Sequence, residues 1–181
     1  MELKHKLLEH PFYQSWSCGH ISRDQLARYA GSYAEFIGEM PAYWGKIADG
    51  LGADARTVVA EETAHIALWE KWSARLPAAH DAPRMSELLD GLAGMTPSAL
   101  LGAVHAFEIQ QPGVAHTKKD GLIKHYGFSA EDTVYFDEHL NEQAHIEFGE
   151  KLARTKANAA EFKAGFEKGA ELVYRSLDLF E

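Results

Sequence analysis

The chain has 181 residues, a single-domain length, and with 46% apolar and 25% charged residues it is neither disordered nor fibrous. Its one cysteine, Cys18, excludes an internal disulfide framework and any cysteine-built zinc or iron–sulfur site. A net charge of −9 and a pI near 5.5 argue against nucleic acid or an anionic membrane as partner, which would need a basic footprint. No apolar run approaches the roughly 20 residues of a membrane span, and the start, MELKHKLLEHPF, lacks a signal-peptide pattern, so a cytoplasmic location is expected.

Hydrophobic periodicity is helical almost throughout, and no stretch alternates as a strand does. A short helix is predicted around residues 2–9, followed by a turn, HPFYQSWSCG, bracketed by Pro11 and Gly19. Ser22 with Gln25 reads as a capping box opening a helix to about Gly50, with Pro41 expected to kink it. The next helix, about 53–76, carries Val58, His65, Leu68 and Trp72 on one face and ends before Pro77. One short helix fits near 84–90. Thr96-Pro97 is an N-cap with proline at the first helical position, and that helix is interrupted at Gln110–Gly113 before resuming to about His125. Ser129 with Asp132 caps a continuous helix of about 130–155, and the last helix runs from about 158 to 179. With no repeat, linker or low-complexity tract, residues 1–181 read as one all-α bundle.

Against that background, 27 acidic residues and 10 histidines are the raw material of an oxygen/nitrogen metal site. Two helices carry Glu-x-x-His, Glu62–His65 and Glu142–His145, and an i, i+3 pair projects from one helix face. With a lone carboxylate from each of two other helices, this is the recipe of a di-iron or di-manganese carboxylate bundle. The third long helix offers Glu108, and the first offers Glu35 or Glu39. His139 extends the second motif to His-x-x-Glu-x-x-His. One such pair alone is usually a solvated ion pair; two on separate helices with a further acid are more specific. His105, His116 and His125 read as surface or core residues, Trp44, Trp69 and Trp72 as core, and Lys118-Lys119 as solvated. Tyr29, Tyr33, Tyr43 and Tyr135 read as core aromatics or as neighbours of a metal.

Five segments in order, HPFYQSWSCG, EETAHIALW, FEIQQPGVAHTKK, IKHYGF and YFDEHLNEQAH, resemble the CADD-like para-aminobenzoate synthases. These are heme-oxygenase-like di-metal oxidases, which share a seven-helix fold with the TenA and PqqC proteins. The resemblance covers about residues 7–155. It implies para-aminobenzoate formation for folate synthesis, with the enzyme as its own substrate: a tyrosine of the chain supplies the ring and a lysine the amine. It also implies an Fe/Fe or Fe/Mn centre that activates dioxygen with an external reductant. By position, the tyrosine falls on Tyr13 and the lysine, ten residues after Glu108, on Lys118, which as amine donor should lie in a poorly solvated pocket that lowers its pKa; Tyr29 and Tyr135 match tyrosines near the family's site. The metal ligands implied are Glu62, His65, Glu108, His139, Glu142 and His145.

One segment departs from that pattern. Relatives read His-x-x-x-Asp-x-x-His, which keeps three ligands within roughly 60° of a helix, whereas His139, Glu142 and His145 spread over about 120°. A π-bulge would absorb the mismatch, and Glu138-x-x-x-Glu142-x-x-His145 would restore the spacing. His139 is preferred because the flanking Tyr135-Phe136 and the following carboxylate fit the motif. Glu61 and Glu62 are likewise both spaced to act with His65, and Glu62 is preferred as the Glu-x-x-His form. The competing functions are an oxidase of the same fold with a diffusible substrate, a ferritin-like di-iron protein, and a metal-free interaction module. Thiamine hydrolysis is disfavoured because Cys18 lies in the N-terminal turn. A homodimer is the assembly left open.

Overall fold

In the computed structural model, which describes residues 1–181, the Ser22 hydroxyl accepts from the Gln25 N–H at 3.1 Å and the Gln25 side chain accepts from the Ser22 N–H at 2.9 Å. This capping box opens α2 (Arg23–Leu51), the long helix expected from the sequence, with Pro41 inside it. α3 (Arg56–Ser73), α4 (Ser86–Ala93) and α5 (Pro97–Glu108) follow in the predicted places, and the Thr96 hydroxyl caps α5 through the Ala99 N–H. After a break at Ile109-Gln110 the chain resumes as α6 (Gln111–Tyr126), and it ends in α9 (Ala159–Ser176), capped by Asn158. There are no strands, and no helix is long and apolar enough to cross a membrane.

Two expectations need correction. Residues 1–6 form no helix, and the first turn is a 3-10 turn at Leu7–Glu9. The HPFYQSWSCG segment is instead helical: α1 (Pro11–Ser17) starts on a His10 cap whose Nδ1 accepts from the Phe12 N–H at 3.1 Å. Proline at the first helical position needs no N–H and has the right φ. Phe12, Tyr13 and Trp16 bury one side of this helix.

The second correction concerns residues 130–155. The Ser129–Asp132 cap forms, with N–H contacts of 2.9 and 3.3 Å, but the continuous helix does not. A 3-10 turn leads into α7 (Val134–Glu138), residues 139–142 leave the helix, and α8 (Gln143–Thr155) begins anew. No π-bulge is present. At the break, the His139 ring nitrogen Nδ1 donates to the Tyr135 carbonyl at 2.7 Å, the acceptor that the His139 backbone N–H would use in an unbroken helix.

One contiguous core includes Trp16, Trp44, Trp69 and Trp72, each essentially solvent-free. Within it α5 and α9 pack backbone to backbone. A Cβ at Gly165 would collide with the Ala99 carbonyl, so only glycine permits this approach. The close packing seats α5, and with it Glu108, at the centre of the bundle.

Candidate functional site

Six polar side chains meet where apolar ones would be expected. α3 supplies Glu62 and His65, the last residue of α5 is Glu108, the break between α7 and α8 supplies His139 and Glu142, and α8 supplies His145. Each is between 3% and 9% exposed. His145 Nδ1 lies 3.2 Å from Glu142 and 3.5 Å from Glu62; His65 Nδ1 lies 3.5 Å from Glu62, and His139 Nε2 lies 3.7 Å from Glu142. Liganding atoms of Glu62, Glu108 and His145 all fall within 4.8 Å of one another. The helix break resolves the arc problem of the sequence, because the three residues need not share one helical face.

The cluster is unsatisfied as it stands. Buried His65 Nδ1, Glu108 Oε1, Glu142 Oε1 and His145 Nδ1 have no hydrogen-bond partner. Each such atom costs about 1–3 kcal/mol when left unmade, so four in one place need a common partner. Three carboxylates and three imidazoles are the donor set of a first-row transition metal, and these groups can hold such an ion. The electrostatics agree. Burial, and then the charges of Glu62 and Glu142, raise the Glu108 carboxyl well above its usual range. At His145 burial opposes protonation, but the nearby Glu142 carboxylate, the charge of Glu108 and the Glu61 carboxylate on Nε2 outweigh it and raise its pKa to about 10. Burial lowers that of His139. Protons here balance charge that a cation would balance better.

The alternatives raised by the sequence lie outside this cluster. Glu138 is exposed, and Glu61 is half-exposed with its carboxylate on the far nitrogen of His145 at 2.8 Å. Glu35 and Glu39 are exposed, and Glu35 pairs with Arg84, so the lone first-helix carboxylate of a ferritin-like site is missing. A cleft of about 190 Å³ opens over the cluster, lined by Glu61, His65, Glu138, Asn141, Glu142 and His145. A second carboxylate group, Asp178 and Glu181 beside His10, is different: both nitrogens of His10 are already engaged, by the Phe12 N–H and by Asp178 at 3.0 Å.

Beside the cluster lies a buried amine. Lys118, whose implied role as amine donor calls for a poorly solvated pocket, is only 2% exposed. Its Nζ faces the rings of Tyr33 at 4.5 Å, Tyr29 at 5.2 Å, Tyr13 at 5.3 Å and Trp69 at 5.9 Å. Burial alone, with no partner charge, lowers its pKa from 10.5 to about 7. Its neighbour Lys119 turns the other way and pairs with Asp137. The Tyr13 and Tyr29 hydroxyls are 3.1 Å apart, and burial raises the phenol pKa of Tyr13, Tyr29, Tyr33 and Tyr135. Tyr135 bridges the two regions, its ring 4.3 Å from that of His139 and 4.9 Å from that of Trp69. Tyr33 and Trp69, read from the sequence mainly as core, form walls of the lysine's cage. The signal was their spacing: Tyr33 lies one turn beyond Tyr29, and Trp69 one turn beyond His65.

No profile of a known protein family matches the chain. Individual relatives do. It is 34% identical over 154 residues to the 4-aminobenzoate synthase of Chlamydia muridarum, a match covering 74% of this chain and 65% of that protein. It is 32% identical to the 4-aminobenzoate synthase of Chlamydia trachomatis, over 74% of this chain and 67% of the relative. The protein of the same name from Nitrosomonas europaea is 28% identical over 95% of this chain and 84% of its own length. The chain thus spans about two thirds of the chlamydial relatives and most of the Nitrosomonas one.

Proposed function

The chain belongs to the 4-aminobenzoate synthase family, and on that footing we propose that it forms 4-aminobenzoate (para-aminobenzoate) from its own Tyr13, with Lys118 as amine donor. The observation that carries this reading is the placement of Lys118: a buried amine with no counter-ion, its pKa near 7, 5.3 Å from the centre of the Tyr13 ring. A lysine usually avoids such a place. Forming a carbon–nitrogen bond needs a neutral amine, and burial supplies one at ordinary pH.

The atoms of the product fit the two side chains. A tyrosine side chain and 4-aminobenzoate share a para-substituted ring bearing one carbon. The conversion replaces the phenolic oxygen, lost as water, by the Lys118 nitrogen, whose bond to Cε breaks by oxidation and hydrolysis to leave an aldehyde; it also cuts Cα from Cβ and oxidises Cβ to a carboxylate. It therefore needs an oxidant, which we assign to dioxygen with an external reductant. Glu62, His65, Glu108, His139, Glu142 and His145 would hold a dinuclear centre, Fe/Fe or Fe/Mn, which when bound supplies the activation of dioxygen. Tyr29, hydrogen-bonded to the Tyr13 hydroxyl, fixes that ring and is placed to exchange its phenolic proton. Tyr135 fills the space between His139 and Trp69, keeping water out of the cage on the ligand side. The aromatic walls keep water from the amine and so favour its neutral form.

The test is product formation without any added aromatic compound. Purified protein reconstituted with iron and manganese, then given dioxygen and a reductant, should release 4-aminobenzoate. Release that depends on an added diffusible substrate would replace this reading with an oxidase of the same fold.

A further inference from the structure

We infer that Glu61 is a positioning residue: its carboxylate fixes the ring of His145 from outside the cluster so that Nδ1, and not Nε2, is presented to a metal. The inference rests on the metal reading of the site. The Glu61 Oε2 to His145 Nε2 distance of 2.8 Å makes Nε2–H the donor, since a carboxylate only accepts. A neutral imidazole with its proton on Nε2 has its lone pair on Nδ1. That atom is buried, lacks a hydrogen-bond partner, and lies 3.2 Å from Glu142 and 3.5 Å from Glu62. The geometry is that of a carboxylate–imidazole–metal relay, in which the outer carboxylate sets the tautomer, orients the ring and raises its basicity.

The neighbouring position sharpens the point. Glu61 and Glu62 are adjacent on α3 and about 100° apart around it, so that single step sends Glu62 inward and Glu61 to the rim of the cleft. His139 is oriented differently, by the Tyr135 carbonyl on its Nδ1, which leaves Nε2 facing Glu142. The two histidines flanking Glu142 are thus held through opposite nitrogens, one by a fixed backbone group and one by a half-exposed side chain. Only the second can be removed by substitution without disturbing the fold.

Cobalt(II) titration of the metal-free full-length protein, followed by its visible absorption, tests this. Glu61→Ala should keep the wild-type number of cobalt ions, weaken their binding about 10–100-fold and shift the absorption band. Glu61→Gln, whose amide oxygen still accepts from Nε2–H, should restore most of the affinity and the wild-type band. Glu62→Ala should lose a cobalt ion. Unchanged affinity and spectrum in Glu61→Ala would overturn the inference alone, as would loss of an ion in Glu61→Ala with none lost in Glu62→Ala. A wild-type protein that takes up no cobalt would overturn the metal reading, and this inference with it.

Discussion

The indole Nε1–H of Trp16 donates to the backbone carbonyl of Lys118 at 3.1 Å, tying the helix that carries Tyr13 to the helix that carries the buried amine. Trp16 lies one turn beyond Tyr13 on α1, and it rests on Gly121 of α6, where a Cβ would press into the indole. This contact sets the separation of the two residues on which the proposed chemistry depends. Trp16→Phe keeps an aromatic ring but removes the donor and some volume. It should cost about 1–3 kcal/mol in urea unfolding and lower product yield well beyond that of a comparably destabilised core variant. Yield that simply tracks stability would deny the contact a positioning role.

Lys118 gives a pH signature. Its folded pKa is depressed to about 7 from 10.5, so between those values the unfolded chain binds a proton that the folded chain does not. The burial penalty is therefore greatest below pH 7 and fades as pH rises toward 10.5. Lys118→Met should be more stable than the wild type by several kcal/mol at pH 6, with the gap closing above pH 7. Product formation by the wild type should rise through about pH 7 as the amine loses its proton. Lys118→Arg, always charged, should form none. Thermal unfolding across pH and product assays check both arms.

The carboxylate at the end of α5 predicts the opposite slope in metal-free protein. Burial and the charges of Glu62 and Glu142 raise the Glu108 pKa, so the folded state holds a proton that the unfolded state gives up, and stability falls as pH climbs past the usual carboxylate range. Glu108→Gln should raise the melting temperature of the metal-free protein at pH 8, with little effect near pH 4. The same variant should bind iron or manganese more weakly, measured by elemental analysis after desalting.

The break between α7 and α8 separates two ligand assignments. His139→Ala removes a buried imidazole and should lose one metal of about two per chain, whereas Glu138→Ala removes an exposed carboxylate and should keep both. Metal analysis after reconstitution decides between them, and the reverse pattern would assign the ligand to Glu138.

The fold was legible where local signals were strong. The Ser22–Gln25 box and the Thr96-Pro97 start stand where the sequence puts them, and the interruption after Glu108 is present but shorter, at Ile109-Gln110, because Pro112 and Gly113 fit the first turn of α6. The six liganding candidates do converge, Glu62 and His65 by sharing a face of α3, and His139, Glu142 and His145 around the start of α8. What escaped were features decided by side-chain contacts across the chain. α1 is a single short helix whose aromatic face and histidine cap are stabilised by the rest of the bundle, so its own pattern reads as a turn. At the α7–α8 break the His139 side chain bonds the Tyr135 carbonyl, a contact that no periodicity encodes. The Lys-Lys pair itself does not encode the burial of Lys118, which only the resemblance implies; four aromatic rings from three other helices create it.

The origin of the aromatic ring is the most direct test of the whole account. Protein produced with ring-labelled tyrosine and reconstituted with iron and manganese should, on exposure to dioxygen and a reductant, release labelled 4-aminobenzoate. The peptide containing Tyr13 should lose the corresponding mass. Tyr13→Phe, which removes one buried hydroxyl and leaves Tyr29 and Tyr33 in place, should release none while still binding metal. Unlabelled product, or full yield from Tyr13→Phe, would contradict the account and place the source of the ring elsewhere.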